Sequence, residues 1–448
     1  MPESQGDKLR VGTDGSRLPG PGESSSEQVR RWIETPVEFW EACARDYGPM
    51  VSLSLGSLGT VILISDPESV KAVFQLSPDA FECHQYNEHY RYVMGDNSVL
   101  LQDGERHRGQ RRLLSPMLRH EPFVPKVPAI RAIALRTVST WPVEEAFRPR
   151  PSFQEITFQV MVDLLLGNLE SETGQALVSA YREAVLRQVG SWGPWRNFTR
   201  MQPKIRELLA AEIGVRRADP LQPGALTSLA QARDSDGLPI SDAELEDHVF
   251  SLLVAGVDTT AISLTWALYW LCRKERVRET LLEEMTGAGS ALPGPHLLDL
   301  PYLNAVFSEV LRMVPIVPTP SGRKLTRETR IGRYVFPAGT TLVPCTYLVH
   351  RREDLYPNGD RFLPERFLDR RFAPHEYFPF GGGARACLGG MLAEVEFKVV
   401  LAAVLSCWEI QALDTRPLQP IRHGTLLAPP DEFQVVVRSM APAQRGTA

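Results

Sequence analysis

Two short stretches alternate apolar and polar residues with the period of a half-buried strand. VSLSLG (51–56) and TVILIS (60–65) flank Ser57–Gly59, which predicts a β-hairpin within a strand-like region from 48 to 76. From there to about residue 315 the chain reads as mainly helical. One helix begins at Ser241, with Glu244 three residues on, a spacing that lets a serine side chain cap the first N–H groups. It continues through HVFSLLVAGVDTTAISLTWALYWLC (248–272), apolar on nearly every side, which predicts a helix through the core rather than on the surface. Another opens at Pro301, tolerated in a first turn because its missing N–H has no partner there. Its YLNAVFSEVLRM (302–313) stops before Pro315. Residues 316–348 read as short strands and turns, with a turn at Pro337–Gly339, and 353–386 as loop. A last long helix is predicted over 388–406, and strands over 407–412 and 433–438. Helix outweighs strand, and the strands gather toward the two ends of the chain, an α-rich α+β pattern.

Composition narrows this picture. The chain has 448 residues, 43% apolar and 23% charged, as globular proteins do. No repeat or internal linker divides it. Residues 1–28 are polar and rich in Gly, Pro and Ser, which predicts a disordered or extended segment ahead of a single domain over 29–448. That start lacks the apolar centre of a signal peptide, and no unbroken run of 18 apolar residues occurs, so a cytoplasmic protein without a membrane anchor is expected. A net charge of -5 gives no support for nucleic-acid binding. Six cysteines in this length do not make a disulfide framework, and Cys43, Cys83, Cys272, Cys345 and Cys407 read as packed thiols.

The sixth, Cys387, lies in FPFGGGARACLGGMLAEVE (378–396). The glycines at 381, 382 and 383 exclude helix and permit close approach to a ligand. Gly389 opens the following helix, whose N–H groups and dipole lower a thiol pKa and favour a thiolate, hence a metal ligand. Local sequence also fits a packed thiol. A zinc site would need a second Cys or His at finger spacing, and a nucleophile would need a nearby His.

Phe380, Gly383, Arg385, Cys387 and Gly389 match F-x-x-G-x-R-x-C-x-G, and here the chain resembles the cytochrome P450 family. The resemblance implies a large helical domain around haem b, with small β-sheets from both ends of the chain. It implies Cys387 as the iron's axial ligand, Phe380 beside the sulfur, Gly381 and Gly389 against the cofactor, and Arg385 on a haem propionate. A thiolate ligand pushes electron density toward the iron and favours O–O cleavage.

Four further segments fit in order. Ala255-Gly256-Val257-Asp258-Thr259-Thr260 resembles the family's oxygen-activating motif: Ala255 and Gly256 leave room for O2, Thr259 delivers protons, and Asp258 relays them through water. Taken alone, Thr259 could bond back to its own helix and Asp258 could cap a loop. Glu309 and Arg312 match E-x-x-R, and Pro364-Glu365-Arg366-Phe367 matches P-E-R-F. The resemblance implies a buried Glu309–Arg312–Arg366 network that braces the cysteine loop, where spacing alone would allow an exposed ion pair. His107 and Arg111, in GERHRGQRRLLSPM (104–117), resemble the pair that reaches the propionates, while Arg108 and Arg112 could face an acidic electron donor. Arg323 is the candidate for another propionate contact, since strand alternation turns only one of Arg323 and Lys324 inward. The resemblance spans roughly 30–440. It departs at LYPNGDRFLPERF (355–367), where Asn358-Gly359 replaces a proline-containing step.

The implied reaction inserts one atom of O2 into an organic molecule and releases the other as water. The chain ends soon after its haem helix, so a separate ferredoxin and ferredoxin reductase are expected to supply electrons to a monomer. By analogy the substrate pocket draws on Tyr86, Tyr90, Met94, Leu252, Val317 and Leu426, with His84 and His89 read as solvated loop residues. The expected substrate is a natural-product intermediate, hydroxylated or epoxidised as a tailoring step of secondary metabolism such as antibiotic biosynthesis. Alternatives are a fatty-acid or terpene hydroxylase, a peroxygenase or isomerase, and a non-catalytic haem sensor.

Overall fold

The computed structural model describes residues 18–118, 123–186, 195–234, 237–287, 294–414 and 416–439. The helices that place the site are, in chain order, α1 (Ser25–Glu34), α2 (Pro67–Phe74), α3 (Gly104–Leu114), α4 (Val127–Val138), α5 (Arg150–Leu166), α6 (Asp242–Arg273), α7 (Pro301–Met313) and α8 (Gly390–Cys407).

The all-round apolar stretch is α6, which runs through the core against α5, α7 and α8. Ser241 caps it, accepting from the Glu244 N–H at 3.3 Å. The Glu244 carboxylate instead turns to α3 and accepts from the Gln110 amide at 2.9 Å. By length and composition α6 could cross a membrane, but 78% of its most apolar window is buried inside the protein, as its pattern predicts. It is tied to its neighbours by polar bonds as well. Trp266 Nε1 donates to the Leu427 carbonyl at 3.2 Å, and Thr157 on α5 donates to the Val257 carbonyl at 3.1 Å.

The predicted hairpin forms from β1 (Met50–Ser54) and β2 (Thr60–Ile64), in register from Met50 opposite Ile64 to Ser54 opposite Thr60. It enters a five-stranded sheet with β3 (Phe81–Glu82), β4 (Arg323–Leu325) and β7 (Thr341–Pro344), in the order β1-β2-β7-β4-β3. Here β2 and β7 are parallel, with Val61 opposite Thr341. Between β4 and β7 lies the hairpin β5 (Thr329–Ile331) and β6 (Tyr334–Phe336). Near the C-terminus β8 (Trp408–Ala412) pairs with β11 (Val435–Ser439), and β9 (Ile421–His423) with β10 (Leu426–Ala428). The result is a helical bulk with small sheets drawn from both ends, the α-rich α+β architecture expected.

Three expectations are corrected. The strand-like reading of 48–76 fails after residue 66, where Asp66 accepts from the Ser69 N–H at 2.8 Å and Pro67 opens α2. The disordered or extended start fails for its last residues: α1 begins at Ser25, Leu18 is buried, and the Ser52 N–H donates to the Pro19 carbonyl at 2.9 Å. Residues 1–17 and 440–448 lie outside the described residues. The final helix begins at Gly390, not residue 388, because Gly389 is its cap.

Candidate active site

The cysteine loop takes its shape from what packs behind it. Gly383 has a φ of +64°, and a Cβ there would collide with the Phe74 carbonyl at the end of α2. A Cβ on Gly382 would strike the Phe74 ring. The glycine run therefore answers to α2 as well as to any ligand. Gly383→Ala, strained in backbone and blocked by a neighbouring carbonyl, is expected to cost more than about 2 kcal/mol. A denaturant midpoint equal to the parent's would show that the loop yields freely.

The Phe378 N–H donates to His350 Nε2 at 3.0 Å, and the Cys387 N–H donates to the Phe380 carbonyl at 2.9 Å. Burial and the nearby Arg312 and Arg351 hold His350 well below its ordinary pKa, so its ring is neutral and able to accept. The His350 carbonyl in turn accepts from Arg312 Nη1 at 2.8 Å. Arg312 and Glu309 are both 0% exposed, paired at 2.6 and 2.8 Å. Arg312 also donates to the Gly359 and Arg361 carbonyls at 2.9 and 3.0 Å. Arg366 Nε reaches Glu309 at 3.2 Å. The exposed-pair reading is excluded: this is a buried charge cluster whose arginine is linked to the cysteine loop through His350. The Asn358-Gly359 departure lies inside it, with Asn358 at a φ of +54° and Gly359 supplying a carbonyl.

Cys387 stands just before α8. The Gly389 and Gly390 N–H groups and the Arg111 guanidinium pull its thiol down, but burial is the larger effect and pushes it up. The lowering expected from the helix start is present, but burial outweighs it. A metal cation at the sulfur would favour the thiolate.

A cavity of ≈ 640 Å³ opens in front of Cys387. Phe380, Gly381, Arg385 and Gly389 line it from the cysteine loop, and His107 and Arg111 from α3. Ala255, Gly256, Asp258 and Thr259 face it from α6. Tyr86, Tyr90, Met94, Leu252, Val317 and Leu426 line it too. Arg323 does not. It is buried as strand alternation predicts, while Lys324 turns out to Gln85. Its guanidinium donates to the Gly382 carbonyl at 2.8 Å and lies over the Phe74 and Phe81 rings, leaving Nε without a partner. His84 sits apart, 2.8 Å from Asp103, whereas His89 is on the cavity wall against the Tyr90 ring.

On α6 the Thr259 hydroxyl donates back to the Ala255 carbonyl at 2.7 Å. Asp258 accepts from the Gln154 amide of α5 and caps no loop. Sequence reasoning missed Glu396 on α8, which lines the cavity at 1% exposure. Burial drives its carboxyl well above the ordinary range, against an opposing pull from Thr260. Its signal was a lone acid on the buried side of LAEVEFKVVLAAVL.

The donor set favours one kind of occupant. Among the described residues no group of three His, Cys, Asp or Glu side chains could hold a bare metal ion, which leaves no zinc site. A single sulfur suits a metal that brings its other ligands. Arg111 donates to the Ala386 carbonyl at 2.7 Å and Arg385 to Asp103, yet Arg385 Nη1 is buried with no partner. Burial first, and then the neighbouring Arg385 and Arg111, hold His107 down at about 3. A flat ring carrying carboxylates and its own metal fits these residues.

The Cytochrome P450 family model matches residues 25–437. "Putative cytochrome P450 135B1" of Mycobacterium tuberculosis is 34% identical over 440 residues, covering 94% of this chain and 91% of its own. "Putative cytochrome P450 135A1" from the same species is 28% identical over 409 residues, covering 88% of this chain and 89% of its own. Among solved structures, the retinoic acid-bound cyanobacterial CYP120A1 superposes with a TM-score of 0.78 at 24% identity, over 92% of this chain and 96% of that one. The cytochrome P450DA heme domain gives 0.79 at 21% identity, over 96% and 99%.

Proposed function

The chain belongs to the cytochrome P450 family and is a monooxygenase of that family, and we propose that it oxidises its substrate at a haem b held by Cys387. The observation that carries this reading is the convergence on one cavity of a lone thiol, an alcohol-bearing α6 and a cationic edge. Bound there, haem supplies O2 activation and the oxidising power; the chain supplies everything around it.

The Gly389 and Gly390 N–H groups favour negative charge at the Cys387 sulfur, and Phe380 lines the same cavity beside the loop. His107, Arg111 and Arg385 take the propionates, while Arg323 braces Gly382 from behind and meets the cofactor only through the loop. Ala255 leaves space across the cavity, whereas Gly256, expected to do the same, instead admits the Met161 side chain of α5, which a Cβ there would strike. Thr259, by releasing the Ala255 carbonyl, turns its hydroxyl proton toward the reacting oxygen. Asp258 refills that proton through water after leaving the Gln154 amide. The presence of both groups on the cavity wall favours O2 over peroxide as the oxidant. Glu309, Arg312 and Arg366 position the loop and touch no substrate.

A redox partner delivers two electrons, which we assign to a separate ferredoxin and its reductase. Arg112, exposed on α3, suits an acidic donor better than Arg108, which is already paired with Glu105. We place the enzyme as a cytoplasmic monomer acting on a natural-product intermediate, with hydroxylation or epoxidation as the tailoring step. A fatty acid or terpene is the second substrate reading.

Thr259→Val tests the proton path. Product formation is expected to fall roughly 10²-fold, with electrons diverted to hydrogen peroxide and substrate binding kept. Unchanged coupling of electron use to product, or full turnover of the parent on peroxide alone, would move the assignment to a peroxygenase.

A further inference from the structure

One charged group on the cavity wall is used by nothing above. Arg422, on β9, lines the cavity away from the cysteine loop and lies where β9 meets α1. Its Nε donates to the Gly424 carbonyl at 2.6 Å and its Nη1 to the Trp32 carbonyl at 2.5 Å. These bonds fix the plane of the guanidinium and leave the Nη2 amino group unclaimed. Among the described residues no carboxylate pairs with it.

The groups that face Arg422 do not neutralise it. Tyr86 and Tyr90 are its near neighbours, and their hydroxyls are bonded to Thr319 at 3.2 Å and Thr425 at 2.7 Å. Burial, with Arg422 beside it, holds His89 down at about 4, so its ring is neutral. The rest of this wall is apolar, from Trp32, Leu55, Leu58 and Val317, and Ile33 at 51% exposure marks where it meets solvent. A permanent cation in such a wall is costly to leave without a counter-charge.

Resting on the monooxygenase reading, we propose that the substrate is a carboxylic acid with an apolar body, its carboxylate bound by Arg422 while the apolar part reaches toward Cys387. The Trp32 and Gly424 carbonyls orient the guanidinium so that Nη2 and the free edge of Nη1 point at the ligand, a geometry suited to the two oxygens of a carboxylate. The hydrogen-bonded Tyr90–Thr425 hydroxyl pair adds polar surface to the same cavity wall.

The test uses the haem-loaded full chain and four matched probes: dodecanoate, methyl dodecanoate, dodecan-1-ol and dodecylammonium. Binding is read by the substrate-induced shift of the Soret band and by calorimetry. Dodecanoate is expected to bind at least ~10-fold more tightly than its ester or alcohol, and dodecylammonium most weakly. Arg422→Gln should abolish the preference for the acid, and Arg422→Lys should keep part of it. Equal binding of acid and ester by the parent, preference for the ammonium, no saturable binding of the acid, or equal weakening of acid and ester in Arg422→Gln would overturn the proposal. The parent comparison needs no variant to fold. The reduced, CO-bound spectrum of the same preparation checks the haem-thiolate reading separately, and calorimetry reports on Arg422 whether or not that band appears.

Discussion

Replacing Cys387 by alanine is expected to abolish the strongly red-shifted Soret band of the reduced, CO-bound protein and to take turnover below detection. That band reports a thiolate opposite the CO, and no other cysteine lines the cavity. The substitution should spare the fold. The loop bond at this residue is made by its backbone, from the Cys387 N–H to the Phe380 carbonyl. The turns before it depend on Gly382, Gly383 and Phe74. Far-ultraviolet circular dichroism should therefore match the parent while haem content falls. A red-shifted band that survives in Cys387→Ala would remove the sulfur from the mechanism.

Arg312→Ala is expected to do the reverse, leaving the chemistry's own residues in place and removing their support. It takes the main cation from the fully buried Glu309 carboxylate, leaving it only Arg366 and the Leu363 N–H, and strands three backbone carbonyls, those of His350, Gly359 and Arg361. Breaking a buried pair from one side costs about 3–5 kcal/mol, against a total of about 5–15 kcal/mol for a domain. Expressed protein should be largely unfolded or free of haem. Arg312→Lys should rescue little, because a single ammonium cannot serve two carboxylate oxygens and three carbonyls at once. Pairing Arg312→Met with Glu309→Gln should recover part of the loss by removing the stranded charge. Denaturant midpoints and haem retention measure both, and a midpoint for Arg312→Ala close to the parent's would show the network to be dispensable.

How far the sequence reveals this depends on the length of each signal. The central helix was legible because apolar residues occur on nearly every side of it over about seven turns, and the β1–β2 hairpin because an alternating arm and an apolar arm flank a short Ser-Leu-Gly turn. The β9–β10 hairpin was not: three-residue strands are too short to show a period, and Gly424 alone marks the turn. The start of α2 was missed although Asp66-Pro67 announces it, because the alternation before it was carried on too far. Cys387, Thr259 and the charge network were found through motif spacing, which says which residues occur together but not how they bond. It could not show that Arg323 would be absorbed by Gly382 and two aromatic rings, or that burial would outweigh the helix start at Cys387. His350, Glu396 and Arg422 carry no motif in a single sequence. Each is notable only for what surrounds it in space.

The parallel pairing of β2 with β7 has a further consequence, in the order of events during synthesis. Residues 60–64 leave the ribosome long before residues 341–344, so the β1–β2 hairpin is made with one edge open and its partner not yet translated. An open edge invites pairing with other chains, and a contact so distant along the sequence forms late. Folding of this chain cannot proceed steadily from its first residue. The wall of the cavity that α1 and the β1–β2 turn provide is settled only after most of the protein exists, which makes the chamber one of the last features to be completed.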